Sequence, residues 1–404
     1  MSIIYPMRLS TSQYRAYQAI ELTSLYMNSQ GNLYSFYSTR DYSPGGGGVG
    51  NVGFSASSDS GVTWSNFDSN IVGAYPGYYP WVMKTDNSCD IFVKSAKPFH
   101  AKYYCTSWNK ISIPPGIDGI TDVCLDANNN IHALVYYDGI NYRGGYMKYD
   151  GSSWSPVVYL NIVQSSGKIA IDYNGDLHIF ASRGSMGGTV ATTSYLNNIG
   201  GTWSAPYNVN FSWTARTEMA ITPDNHVHCL ISNYLTPAVG PPFNFRVMYR
   251  QRSSTGRWSS YYDLTDGVHG AGGAGVSIDS TGKVYLIWSE AGNGTYPTRS
   301  QLFYQTVTYD YDDGISPFWT FDWGSKVQVT DNDVDVIPGG NFGALYPNNN
   351  IPTTGVAGLY ITEPGTNDYN LYYWTSDDMA YAIPPSSPTC TPNIPINFYS
   401  RTII

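Results

Sequence analysis

Glutamate is nearly missing from this chain of 404 residues, occurring only at Glu21, Glu218, Glu290 and Glu363. Almost all the acidic charge is therefore aspartate, the carboxylate that hydrogen-bonds its own turn. Charge of either sign is sparse, at 13% of residues, and the balance is -9. Binding nucleic acid needs a basic face, so that partner class is excluded. No stretch approaches the ~18 consecutive apolar residues of a membrane helix, which argues against membrane insertion. The opening Met1-Ser2-Ile3-Ile4-Tyr5-Pro6-Met7-Arg8 shows no signal peptide. The five cysteines include no C-x-x-C pair, so zinc-site spacing is missing as well. Cys89 and Cys105 flank an expected hairpin centred on Ala96 and Lys97, which leaves two states open, a cross-strand disulfide or free buried thiols.

What is abundant is Tyr (37 residues), Gly (41) and Pro (24), a strand-and-turn composition. One stretch organises it: an alternating strand, Gly53-Phe54-Ser55-Ala56, runs into a turn, Ser57-Ser58-Asp59-Ser60-Gly61-Val62-Thr63-Trp64. Asp59 can hold backbone N–H groups, Gly61 supplies a positive φ, and Trp64 plugs the neighbouring strands. Weakened copies end at Asp150-Gly151-Ser152-Ser153-Trp154, Gly200-Gly201-Thr202-Trp203 and Ser254-Thr255-Gly256-Arg257-Trp258. A repeat of this kind decides the fold before any catalytic motif is considered.

A second pattern counts the units. An Asp-, Asn- and Gly-rich turn leads to an apolar residue and then Tyr, Phe or His, ending at Leu33-Tyr34, Ile91-Phe92, Ile131-His132, Leu177-His178, Val227-His228, Val284-Tyr285 and Leu359-Tyr360. The spacing predicts four short strands per unit and an all-β, seven-bladed β-propeller of four-stranded antiparallel blades, with six blades as the alternative count. The propeller is expected over 1–383, with a Pro-rich tail over 384–404. The last unit lacks a clear fourth strand, so Ile3-Ile4-Tyr5 or Ile396-Asn397-Phe398-Tyr399 is expected to close the ring, since an unpaired edge is a liability.

Ser57-x-Asp59-x-Gly61-x-Thr63-Trp64 resembles the Asp-box of the sialidase-like (bacterial neuraminidase repeat) propellers. The resemblance implies the propeller fold and a structural role for the box on the blade periphery; it implies no activity, because unrelated functions share one fold. A sialidase of that superfamily would need three arginines for the sugar carboxylate, a Tyr with a Glu behind it, and an acid/base Asp. The Arg-Ile-Pro signature is missing, and Arg216-Thr217-Glu218 is the one Glu beside a candidate Arg. For glycosidase chemistry in general, Glu218, Glu290, Asp118, Asp122 and Asp266 are the carboxylates on offer.

Ligands are expected on the loops between second and third strands and on those joining one blade to the next. Arg40, Arg143, Arg183 and Arg299 fall there and suit bidentate capture of carboxylate or phosphate, with solvated loop arginines as the bland alternative. Trp213 and Tyr296 are candidate platforms for a sugar ring. His132, His178 and His228 share one repeat position with Tyr and Phe, which marks a framework aromatic with a polar tip rather than a converging metal site. Asp331, Asp333 and Asp335 are spaced like the opening of a calcium loop but lack its downstream Glu, so Ca²⁺ and a solvated acidic loop both stay open, and no other cofactor is implied.

These features point to a glycan- or receptor-binding propeller without catalysis, whose partner is a glycan or a glycosylated surface protein. A charge-poor, Tyr-rich surface suits an extracellular setting, and the lack of a signal peptide favours a virion surface with other virion proteins as neighbours. A sialidase-like glycoside hydrolase and a scaffold propeller without small ligand are the alternatives.

Overall fold

In a computed structural model of the chain, the second strands of several repeats are buried on both faces. Ile131–Val135, Leu177–Ser182 and Cys89–Val93 are buried along their whole length. Such strands read as continuous apolar runs because sheets pack against both of their faces. The structure describes residues 7–8, 24–27, 32–40, 50–57, 65–74, 80–84, 88–93, 98–104, 107–137, 143–163, 166–182, 193–210, 214–234, 245–265, 271–279, 281–291, 300–311, 319–329, 335–336, 353–354, 357–363, 370–375 and 380–381.

Among the described residues, seven antiparallel sheets of four or five strands follow one another along the chain. Sheets 1 to 6 take their strands from 24–74, 81–111, 119–163, 166–210, 214–263 and 271–328, each in simple chain order, and sheet 6 gains a fifth short strand, Val327–Gln328. Sheet 7 is built from Asp335–Val336, Ala357–Glu363 and Asn370–Thr375, and its outer strand is Met7–Arg8 from the other end of the chain, with Met7 opposite Tyr373. The N-terminus thus supplies the closing strand, two residues beyond the expected Ile3-Ile4-Tyr5. Thr353–Thr354 and Ala380–Tyr381 form a separate small pair.

The first strands of successive sheets lie against one another. Trp81–Met83 packs on Gly119–Leu125, that on Ser166–Ile171, that on Thr214–Ile221, and that on Ala271–Ile278; Ser24–Met27 of sheet 1 meets Ala357–Glu363 of sheet 7. This is the radial order of a β-propeller, with the first strands innermost. Apolar clusters fill the spaces between sheets: Val276, Leu286 and Trp288 of sheet 6 pack with Leu230, Val247 and Tyr249 of sheet 5.

Two local motifs recur. Trp154 and Trp258 each bridge back to the third strand of their own sheet, at Tyr149 and Arg252. The serine after each Trp locks the turn: Ser155, Ser204 and Ser259 accept hydrogen bonds from the backbone N–H groups of Lys148, Asn197 and Gln251 at 2.9, 3.1 and 3.0 Å. In the turn between first and second strands, Asp126, Asp172 and Asp279 each accept two backbone N–H groups, two and four residues on, at 2.8 to 3.0 Å. The residue three along has positive φ and is Asn129, Gly175 or Gly282, and Asn225 takes the same place after Thr222 in sheet 5, all residue types that tolerate it.

Sheet 2 departs from the sequence register. Its turn is closed by Lys84 N–H on Ser88 carbonyl, matching Asp126 on Asn130, so Cys89-Asp90 and not Ile91-Phe92 occupies the repeat position. With both faces of Cys89–Val93 buried, the strand offers no polar alternation to fix the pairing from sequence. Cys89, Cys124 and Cys229 are free and buried, and Cys89 faces Tyr103; Cys105 lies outside the described residues.

Candidate functional site

Asp122, Lys168 and Glu218 stand ten residues before His132, His178 and His228, at one position of three successive repeats. Each sits on the innermost strand of its sheet, and the packing of those strands brings the three side chains together. Lys168 Nζ lies 3.7 Å from Asp122 Oδ1 and 3.4 Å from Glu218 Oε2. Asp122 Oδ2 accepts the Ile169 N–H at 3.0 Å, so sheet 3 is tied to the backbone of sheet 4. Thr217 makes the same kind of tie from sheet 5, donating to the Phe180 carbonyl at 3.3 Å. The Asp122 side chain is 1% exposed, whereas Lys168 and Glu218 keep 11% and 14%. Glu218 and Lys168 can therefore meet a ligand, while Asp122 positions them.

Glu290 belongs elsewhere. It stands on the second strand of sheet 6, where Lys326 ion-pairs with it and Trp288 Nε1 donates to it at 3.2 Å. The Lys326 ammonium rests over Phe303 at 4.3 Å and Trp288 at 5.4 Å. The two glutamates considered together from sequence are thus held by different lysines in different sheets. Arg216 is two residues from Glu218 on the same inner strand. Arg40 ends a strand of sheet 1, and Arg143 begins the exposed edge of a strand in sheet 3. Arg183, Arg299, Trp213 and Tyr296 lie outside the described residues, as do Asp59, Gly61, Thr63 and Trp64 of the Asp-box; Ser57 is buried at the end of its strand. Asp335 begins a strand of sheet 7, while Asp331 and Asp333 lie outside the described residues. Among the described residues no group of three His, Cys, Asp or Glu is arranged to hold a metal.

The repeated histidines are framework. His132 Nδ1 meets Tyr146 Oη at 2.8 Å and Nε2 meets Asp126 at 3.3 Å; His178 repeats this with Tyr195 and Asp172 at 2.6 and 3.2 Å. His228 uses Thr222 and Tyr249 at 3.3 and 2.7 Å. Burial pushes His228 down to about 3, with the neighbouring His226 adding to it, so the ring is neutral. Burial alone would raise the Asp126 carboxyl, but hydrogen bonds from Asn130, Lys148 and His132 outweigh it and hold the group well below the usual carboxylate range. Lys168 is the residue that sequence reading missed; a charged residue at one fixed distance before three repeated histidines was the available signal.

No family model matches the chain, and no curated protein matches it. Among solved structures, the polysaccharide lyase Uly1 superposes with a TM-score of 0.57 at 8% identity, over 93% of this chain and 99% of that one. A protein of unknown function from Dyadobacter fermentans gives 0.52 at 12% identity, over 93% and 98%. The leech intramolecular trans-sialidase, at 0.46 and 11% identity over 94% of this chain and 70% of that one, is too remote to carry an argument. These likenesses concern the fold: the chain is an all-β protein of propeller type.

Proposed function

We propose that the seven sheets are seven blades of an Asp-box-type propeller that binds glycan at its inner ring and acts as a recognition module on an outer surface such as a virion. The Asp122–Lys168–Glu218 strip carries this reading. A lysine fixed between two carboxylates presents a preset donor and acceptor, Lys168 and Glu218, which suits the hydroxyls of a sugar. The full-length likeness to the polysaccharide lyase Uly1 supports a carbohydrate ligand. The charge-poor, Tyr-rich composition supports the outer surface, with a glycosylated protein or a neighbouring virion protein as the partner bearing the glycan.

Binding ranks above catalysis because Asp122 is engaged by Ile169 N–H and Lys168 and is almost wholly buried, so that the carboxylate beside Glu218 is turned to structure rather than to substrate. One observation favours a glycoside hydrolase as the second reading. Both carboxylates contact one ammonium at 3.7 and 3.4 Å, so these oxygens are at most about 7 Å apart, a bound that admits the roughly 5–5.5 Å of a retaining pair and only the short end of the roughly 6.5–9.5 Å of an inverting one. A glycan array and a fluorogenic glycoside panel, run on wild type, Glu218→Gln and Lys168→Met, separate the two. Binding without turnover, lost in both variants, is the expected result. Turnover abolished in Glu218→Gln would establish the hydrolase instead, and silence in both assays would leave a scaffold.

A further inference from the structure

The chain is acidic overall, yet Arg246, Arg250, Arg252 and Arg257 fall within a few residues of one another in sheet 5. The first three alternate along one strand, Phe245–Arg252, and so share a face. Arg250 lies between two rings, its guanidinium 5.0 Å from Trp258 and 4.5 Å from Tyr261. It is fixed there by donating from Nε to Ser259 carbonyl at 2.9 Å and from Nη1 to Val209 carbonyl at 3.2 Å and Tyr261 Oη at 3.0 Å. Its Nη2 has no hydrogen-bond partner among the described residues. From sheet 4, Tyr207 stacks on Trp258 at 5.8 Å with ring planes 10° apart. Tyr207 and Tyr261 remain 46% and 41% exposed, a large fraction for aromatic rings. Arg246 donates to Asp263 at 3.1 Å, and its Nε is buried without a partner.

We propose that this rim patch between sheets 4 and 5 is a second glycan subsite, away from the inner ring and selective for acidic sugars. Tyr207 and Tyr261 offer flat faces to the C–H face of a pyranose. Arg250 offers Nη2 to a carboxylate or sulfate, and Arg246, about 13 Å further along the strand, offers the next cationic group. The inference rests on the chain being a glycan binder. The basic cluster within a chain of net charge -9 is what selects an anionic occupant.

Affinity electrophoresis of the full chain through gels carrying polygalacturonate, dextran sulfate or neutral dextran tests it, the first two distinguishing carboxylate from sulfate. Retardation is expected in an anionic gel and not in dextran, falling as salt rises. It should weaken at least tenfold in Tyr207→Ser and in Arg250→Lys, which keeps the charge but not the planar stack. Tyr173→Ser, at an exposed tyrosine in the sheet 4 turn, should behave as wild type. Tyr207 is superficial, so its variant stays informative even if the Arg250 change perturbs folding. Equal retardation by dextran, no retardation by either anionic polymer, or unaltered retardation of Tyr207→Ser overturns the rim site. Retardation lost in Glu218→Gln but kept in Tyr207→Ser assigns binding to the inner ring, overturning this inference while leaving the proposed function standing.

Discussion

Sheets 3 and 4 place carboxylate, imidazole and phenol at the same three positions where sheet 2 places ammonium, carboxylate and imidazole. In sheets 3 and 4 these are Asp126–His132–Tyr146 and Asp172–His178–Tyr195; in sheet 2 they are Lys84–Asp90–His100. The repeat therefore preserves a connected polar chain across three strands rather than particular residues. Its members differ in electrostatic risk. The Asp126 and Asp172 carboxylates are held by backbone N–H groups of their own turns, whereas the Asp90 carboxylate is fully buried between Lys84, at 3.0 Å, and His100. A buried charge is costly to strand, because its partner cannot be rehydrated in place.

The sharpest break of the comparison is Asp90→Asn. It leaves the Lys84 ammonium, 6% exposed, without its counter-charge. The expected loss is about 3–5 kcal/mol, read as a fall in the urea midpoint. Asp172→Asn retains the side-chain shape and loses charge-assisted bonds to two turn N–H groups and to His178. Its expected cost is smaller, about 1–3 kcal/mol. If the two variants were equally destabilised, the contrast between a buried charge and a turn-held one would be wrong.

The same comparison shows what the sequence could reveal. The turn-to-His spacing was readable in sheets 3 to 5 because the turn residue, Asp126, Asp172 or Thr222, the positive-φ Asn or Gly and the His are all local. It misled in sheet 2, where Lys84 takes the Asp position and Ile91-Phe92 imitates the apolar-aromatic ending two residues late. The Trp turns were readable for the same reason, although the serine after each Trp was passed over. For the closing strand the sequence left both ends of the chain open and did not point to Met7–Arg8, since pairing with Asn370–Thr375 is set by tertiary packing. Glu218 was legible as a rare residue. Its partners were not, because Asp122 and Lys168 come from other sheets and meet it only when the inner strands stand side by side.

Sheet 5 extends the comparison to a triad with no carboxylate of its own, because Thr222 replaces the Asp. Around His228 stand Thr222 and Tyr249, with Tyr309 from sheet 6 closing over it and His226 and Asp224 nearby. Its folded value of about 3 lies below the ordinary 6.5, so between these values the unfolded chain binds a proton that the folded chain does not. Stability contributed by this group is complete above pH 6.5 and is lost as pH falls through that window, by about 1 kcal/mol over the first unit. His228→Gln removes this proton uptake. Urea midpoints measured between pH 7 and 5 should then fall less steeply for the variant than for wild type, even though the variant starts lower. Parallel slopes would mean that His228 takes up its proton in the folded chain at the same pH as in the unfolded one, and that the sheet 5 triad tolerates a buried charge as sheet 2 does.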